Sequence, residues 1–89
     1  SETGADLAVV CAVISSLKNR PLSRDLAIFG EIGLAGEIRP VQNGLERLRE
    51  AEKQGFKRAI IPAANAPKAA LDSLQIVPVA RLVEALEAL

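Results

Sequence analysis

The stretch DLAIFGEIGLAGEIRPVQNGLERLREAEKQGFKRAIIP, residues 25–62, decides how this chain folds. It opens with a short β-rich segment, Asp25–Phe29, and continues through Glu31–Val41, where apolar and polar residues alternate around glycines. This pattern predicts a strand followed by a hairpin or a bulged pair of strands. The glycines fit neither a dinucleotide fingerprint nor a phosphate loop, so we expect turn and bulge geometry at Gly30, Gly33 and Gly36.

The second half of the stretch predicts a helix and a strand. Asn43 is a suitable N-cap for a helix that runs to about Gln54, and Gly55 follows where a left-handed residue is wanted. Phe56–Pro62 then favours a strand that enters the core.

Upstream, Ala5–Leu17 is apolar on nearly every side, which predicts a helix buried within the fold. Thr3 or Asp6 is available to satisfy its first amides. The helix should end before Pro21, in a basic turn.

Downstream, Ala63–Ala70 predicts a loop or a single helical turn, and Leu74–Val79 predicts a strand at a sheet edge, because it contains Pro78. Ala80–Leu89 predicts a closing amphipathic helix. Its inward residues should be Leu82, Val83, Leu86 and Leu89.

This order of elements predicts an α+β fold in which helices cover a small mixed sheet, with a parallel crossover in the second half. Eighty-nine residues suit one domain, residues 1–89. Because the sequence has no starting Met and opens almost directly on a helix, we expect a C-terminal fragment that lacks upstream strands.

The amino-acid composition limits the ligands and reactions that this chain can support. The 11 basic and 11 acidic residues balance, so any contact with DNA must come from a local patch. The absence of His excludes a Ser-His-Asp triad, and one cysteine excludes a cysteine zinc cluster within this chain. Cys11 lies in an apolar run, which predicts a buried thiol. Because a single cysteine cannot form an intrachain disulfide, we expect a reducing, cytoplasmic location. No apolar stretch approaches the ~20 residues of a membrane span.

Residues 25–62 strongly resemble the proteolytic domain of Lon, which carries a GEI, a second glycine and a closing G-x-K-x-x-x-x-P. They resemble still more closely the Lon-like C-terminal domain of the RadA (Sms) family of bacterial recombination ATPases, through FGE-[IV]-GL-x-GEIRPV and GF-[KR]-RAI-[IV]-P. The resemblance runs from about Glu2 to the end. It implies a Lon proteolytic-domain-like, two-layer fold similar to that of ribosomal proteins.

The resemblance also implies that the catalytic site is lost. Lon-type peptidases use a serine, in a G-P-S-A-G context, and a lysine of lowered pKa. The matching positions hold Ala5 and Leu45, and the threonine before the GEI is matched by Phe29. With neither a hydroxyl nor an amine at the dyad, we expect no catalysis by this domain, because a fold can persist after its function has gone.

For the family, the resemblance implies a hexameric, DNA-dependent ATPase that drives branch migration during DNA repair. ATP, Mg and Zn would be bound in upstream domains, and none is expected here. Single-stranded or branched DNA and a recombinase are the expected partners, with no membrane. Within this chain, the phosphate-binding candidates are Lys18, Arg20, Arg24, Arg39, Lys57 and Arg58.

Three classes of function stay open. The first is the DNA-associated oligomerisation domain. The second is an active Lon-type Ser/Lys peptidase, with Ser15 or Ser16 beside Lys18 as a shifted dyad. The third is a purely structural protein-interaction module, in which the cations are ordinary solvated surface. A base-stacking platform is not expected, since Phe29 and Phe56 both lie in apolar contexts.

Overall fold

The structure, a computed structural model, describes residues 4–89 and follows the predicted order of elements, which confirms the α+β class. The elements are α1 (Asp6–Leu17), β1 (Leu26–Ile28), β2 (Glu31–Ile32), β3 (Ile38–Arg39), α2 (Gly44–Lys53), β4 (Arg58–Pro62), a 3-10 turn (Ala63–Asn65), β5 (Gln75–Val79) and α3 (Leu82–Glu87).

Parallel and antiparallel pairing occur in separate sheets. β1, β4 and β5 form a three-stranded parallel sheet with β4 at its centre, in which Ile60 pairs with Ile28 on one side and Val77 on the other. β2 and β3 form the predicted antiparallel hairpin. The parallel crossover is thus confirmed, and Pro78 lies in an edge strand as its missing N–H requires.

Both faces of the parallel sheet are covered. Side chains alternate along a strand, so Ile60 of β4 packs with Leu7 and Cys11 of α1 and with Ala85 of α3. Its neighbours on β4 pack instead with Leu48 of α2, in a second cluster. Helices α1 and α3 therefore lie on one face and α2 on the other, as is usual for parallel strands.

Helix α1 is less buried than its composition predicts. Its buried residues are spaced four apart, and between them Val9, Val13 and Leu17 remain 58%, 53% and 78% exposed. The prediction of a buried helix therefore holds for one face of α1 and is wrong for the opposite face, because the sheet and α3 cover one face only. Nor does Asp6 cap the helix: the N-cap is Ala5, without a side-chain hydrogen bond, and Thr3 lies outside the described residues.

The start of α1 is instead attached to the end of β1. The backbone N–H of Gly30 donates to the carbonyl of Gly4 at 2.8 Å, and the N–H of Leu7 donates to the carbonyl of Gly30 at 3.0 Å. Gly30 has a φ of 154°, and a Cβ there would lie 3.1 to 3.3 Å from three side chains. This close approach explains why glycine occupies the position.

One further packing prediction needs correction. Val83 of α3 is 57% exposed and Leu89, just after the helix, is 41% exposed, whereas Ala85 is fully buried in the core cluster. In α2, Leu45 is 43% exposed although Leu48 is fully buried.

The ends of α2 are set by backbone conformation. Asn43 is the N-cap of α2, as predicted, but it adopts the left-handed region, with φ 59°, and makes no side-chain capping bond. Gly55, with φ 92°, follows the end of the helix in the left-handed conformation that was predicted.

Candidate functional site

Three of the six predicted phosphate-binding cations line one pocket of about 240 Å³, namely Lys18, Arg20 and Arg58. We call it the basic pocket. Its remaining walls come from the end of α1, the loop that follows, β1 and α3: Ile14, Ser15, Pro21, Leu22, Ser23, Leu26, Leu86 and Leu89. No Asp or Glu is among these residues, and the carboxylate of Asp25 accepts a hydrogen bond from the hydroxyl of the wall residue Ser23.

The turn after α1 places Lys18 and Arg20. Asn19 takes a left-handed conformation with φ 55°, and the backbone N–H of Arg20 donates to the carbonyl of Ser15 at 2.9 Å. The hydroxyl of Ser15 donates in turn to the carbonyl of Arg20. Because Ser15 is buried in the last turn of α1, these reciprocal bonds tie the cationic turn to the helix.

Arg58 reaches the pocket from the sheet. It is the first residue of β4 and is half-buried, and its guanidinium donates to the carbonyl of Ala88 at 3.0 Å. A guanidinium carries five N–H donors in a planar fork. The bond to Ala88 therefore fixes the group and leaves further donors for a ligand.

Lys18 and Arg20 make no ion pair and no side-chain hydrogen bond with any residue in the part of the chain that the structure describes. Three like charges around a recess with apolar walls raise the local positive potential, because the low-dielectric walls focus the field. This arrangement is suited to binding an anion.

The other three predicted cations lie apart from the pocket. Arg39, on the hairpin, pairs with Glu37 at 3.0 Å and with Glu31 at 3.8 Å, so carboxylates already offset its charge. Lys57 is exposed just before β4, and alternation along the strand places it on the side of α2. Arg24 is exposed in the turn before β1 and is not one of the pocket walls.

The dyad positions lie at the beginnings of two helices. Ala5 is the exposed N-cap of α1, and Leu45 is the second residue of α2. Phe29 is buried beneath the guanidinium of Arg47, which lies 5.7 Å from the ring centroid. An exposed methyl group, a half-exposed isobutyl group and a buried aromatic ring supply neither a nucleophile nor a base.

The alternative serines differ in their surroundings. Ser15 is buried, and its hydroxyl is engaged by the carbonyl of Arg20, whereas Ser16 is exposed. Sequence reasoning treated Ser15 only as a possible nucleophile and missed that it organises the basic turn. The signal was present, because Leu7, Cys11 and Ser15 are spaced four apart and so share the inward face of α1.

Three other features of the described residues bear on function: metal ligands, helix length and the reactivity of Cys11. Within residues 4–89, no group of three or more His, Cys, Asp or Glu side chains could hold a metal ion, and no helix is long and apolar enough to cross a bilayer. Cys11 is buried as predicted, and burial raises the pKa of its thiol. A raised pKa disfavours the reactive thiolate.

Comparison with known proteins supplies the family. The chain is 61% identical, over 99% of its length, to the DNA repair protein RadA of Pseudomonas aeruginosa. The proteins of the same name from Haemophilus influenzae and Escherichia coli are 60% identical over 100% of the chain and 59% identical over 97%. The chain spans 19% of the length of each of these relatives.

The match to a family model covers most of the chain. Residues 2–65 match the model described as subunit ChlI of Mg-chelatase. They include the hairpin, α2, β4 and the turn of the basic pocket. The chain therefore belongs to the family described as subunit ChlI of Mg-chelatase, and within it is a homologue of the DNA repair protein RadA.

Proposed function

We propose that this chain is a non-catalytic, Lon-like scaffold domain of a RadA-type DNA repair and recombination ATPase. It supports the assembly of a hexameric ring and contributes phosphate contacts while the ring drives branch migration. The full-length protein is then a cytoplasmic, DNA-dependent ATPase that binds ATP, Mg and Zn in its other segments, and a recombinase is a further candidate partner.

The basic pocket is the observation that carries this proposal. Lys18, Arg20 and Arg58 line one pocket although the net charge of the chain is zero, and the relatives of this chain are DNA repair proteins. Contacts of Arg and Lys with phosphates hold DNA without reading its sequence. A ring of identical subunits repeats such weak contacts, so their combined strength compensates for a small patch on each subunit.

The non-catalytic role rests on the identity and setting of two residues. Ala5 and Leu45 occupy the positions that match the Lon dyad, and both have hydrocarbon side chains. A serine–lysine mechanism needs a hydroxyl and a nearby amine that takes its proton. The exposed apolar stripe on α1, formed by Val9, Val13 and Leu17, supports a role in contacts between proteins instead.

The salt dependence of DNA binding tests the proposal. In the full-length protein, the triple variant Lys18→Gln, Arg20→Gln, Arg58→Gln should bind DNA more weakly, because it lacks up to three phosphate contacts per subunit. Each lost contact lowers the slope of log K against log salt by about 0.7 for single strands and 0.9 for duplex. We expect a decrease of about 2 to 3, measured by fluorescence anisotropy over a salt series.

The matched control removes the same charge elsewhere. The triple variant Arg49→Gln, Lys53→Gln, Lys68→Gln changes three exposed cations that do not line the basic pocket. It should keep the parent slope. Equal slopes in both triple variants would assign binding to overall charge and would remove the pocket from the proposal.

The two alternatives have separate readouts. A Lon-type peptidase would be labelled by a fluorophosphonate probe, and replacing Ser15 or Ser16 would abolish the label. A purely structural module would form rings that light scattering detects. Its DNA affinity would not change when Arg20, Arg24 and Arg39 are replaced.

A further inference from the structure

We propose that the basic pocket is a binding site for a phosphomonoester dianion, rather than one more contact for the phosphodiesters of the DNA backbone. Its ligand is either the terminal phosphate of a strand or a free mononucleotide. For the strand end, this inference rests on the DNA-binding role proposed above. The charge of the pocket, its enclosure and the bonds that hold its walls favour such a ligand.

Charge favours the monoester. The wall residues include three cationic side chains and no Asp or Glu side chain, so an occupant with one negative charge leaves part of the positive charge unbalanced. A phosphodiester carries a single charge, whereas a phosphomonoester carries about −1.5 to −2 at neutral pH and presents three acceptor oxygens. The monoester can therefore pair with Lys18, Arg20 and Arg58 at the same time.

Enclosure favours the end of a chain. The walls of the pocket come from α1, from the loop after it, from β1 and β4, and from α3, so the turn after α1 and the start of β4 both contribute cationic residues to one recess of about 240 Å³. A continuous strand needs an open groove to enter and leave. A recess accepts a terminal group, and the apolar side chains of Ile14, Leu26 and Leu86 can contact the sugar that follows it.

The backbone that carries two of the cations, and the guanidinium of the third, are already held in place. The Ser15–Arg20 bonds fix the turn that carries Lys18 and Arg20, and the bond to the carbonyl of Ala88 fixes the guanidinium of Arg58. Binding then costs little ordering of the backbone turn and of Arg58, and the ordering that remains is that of the exposed Lys18 and Arg20 side chains.

Two short thymidine oligonucleotides of the same sequence test the inference with full-length protein. One carries a 5′-phosphate and the other a 5′-hydroxyl, and both are labelled at the 3′ end. We expect the phosphorylated strand to bind about tenfold more tightly, since it gains at least one charge-assisted hydrogen bond. Binding of free thymidine monophosphate to the protein is measured separately, by the broadening of its phosphorus NMR line. Inorganic phosphate is a second probe in the same measurement.

The variants locate the effect. Arg20→Gln and Arg58→Gln should abolish the preference, while the matched variant Lys53→Gln, at an exposed position of α2, should keep it. Arg20 is exposed, so its replacement leaves the fold intact even if that of half-buried Arg58 does not.

Each result decides a separate point. A preference for the phosphorylated strand that is lost in Arg20→Gln assigns the pocket to strand ends. Equal affinity for both strands, together with line broadening of the monophosphate that Arg20→Gln removes, assigns it to free nucleotides. If neither strand binds but the monophosphate does, the DNA-binding proposal fails and the pocket remains. If both strands bind equally and the monophosphate is not broadened, the phosphomonoester site is refuted while DNA binding stands.

Discussion

Replacing Ser15 with alanine should loosen the turn that presents Lys18 and Arg20. The hydroxyl of Ser15 donates to the carbonyl of Arg20, and the substitution removes that bond without opening a cavity of any size. Ser15 also lies within α1, where alanine is the better helix former. The two effects oppose each other, so their magnitudes decide the outcome.

The lost hydrogen bond costs about 1 kcal/mol, and the gain in helix propensity is about 0.5 kcal/mol. Ser15→Ala should therefore destabilise the fold slightly. Ser16→Ala is the matched control, because Ser16 is exposed in the same helical turn and its hydroxyl makes no hydrogen bond with the described residues. It should stabilise the fold by about 0.5 kcal/mol. The difference between the two variants, about 1 kcal/mol, isolates the bond.

Urea unfolding measures this difference, and amide hydrogen exchange locates it. The N–H of Arg20, which donates to the carbonyl of Ser15, should exchange about fivefold faster in Ser15→Ala than in Ser16→Ala. DNA affinity should fall in Ser15→Ala only, since the cations lose their fixed positions. Equal stability and equal exchange in the two variants would refute the role of Ser15 in organising the turn.

Three further changes test the fold around the site. Gly44→Ala should lower stability by about 1 kcal/mol in urea unfolding, because a Cβ would lie 2.5 Å from Nδ2 of Asn65 and disrupt its two backbone hydrogen bonds; a gain in stability would contradict this. Cys11 should react with iodoacetamide only after unfolding, because burial raises the pKa of its thiol; rapid labelling of the native protein would show otherwise. A hydrogen bond from its own backbone N–H, then one from Arg39, holds the pKa of Glu37 below its ordinary value. The ionised Glu37 side chain therefore stabilises the folded protein at pH values above the ordinary pKa of glutamate. This contribution is lost as the pH falls through the lowered pKa of Glu37 in the folded protein. The Glu37→Gln variant should thus be less stable than the parent at neutral pH and equal to it in acid. A constant difference at all pH values would rule this out.

The order of elements was predictable because it depends on local rules. Alternation around glycines marked the hairpin, and Gly55 marked the end of α2 through its left-handed backbone. Pro78 marked an edge strand because it has no N–H to donate into a sheet. The burial of helix faces was predicted less well. Hydropathy placed Val13 and Val83 inside, yet both are more than half exposed, because what covers a helix is set by its neighbours.

The sequence by itself determined the elements, the balance of charge and the absence of a hydroxyl or an amine at positions 5 and 45. Only the tertiary structure decided which cations act together. Lys57 and Arg58 are adjacent in sequence, but strand alternation directs them to opposite faces of the sheet. Arg58 instead joins Lys18 and Arg20, because parallel pairing of β4 with β1 brings its first residue beneath the end of α1. Such contacts depend on strand pairing between distant residues, which local propensity does not encode.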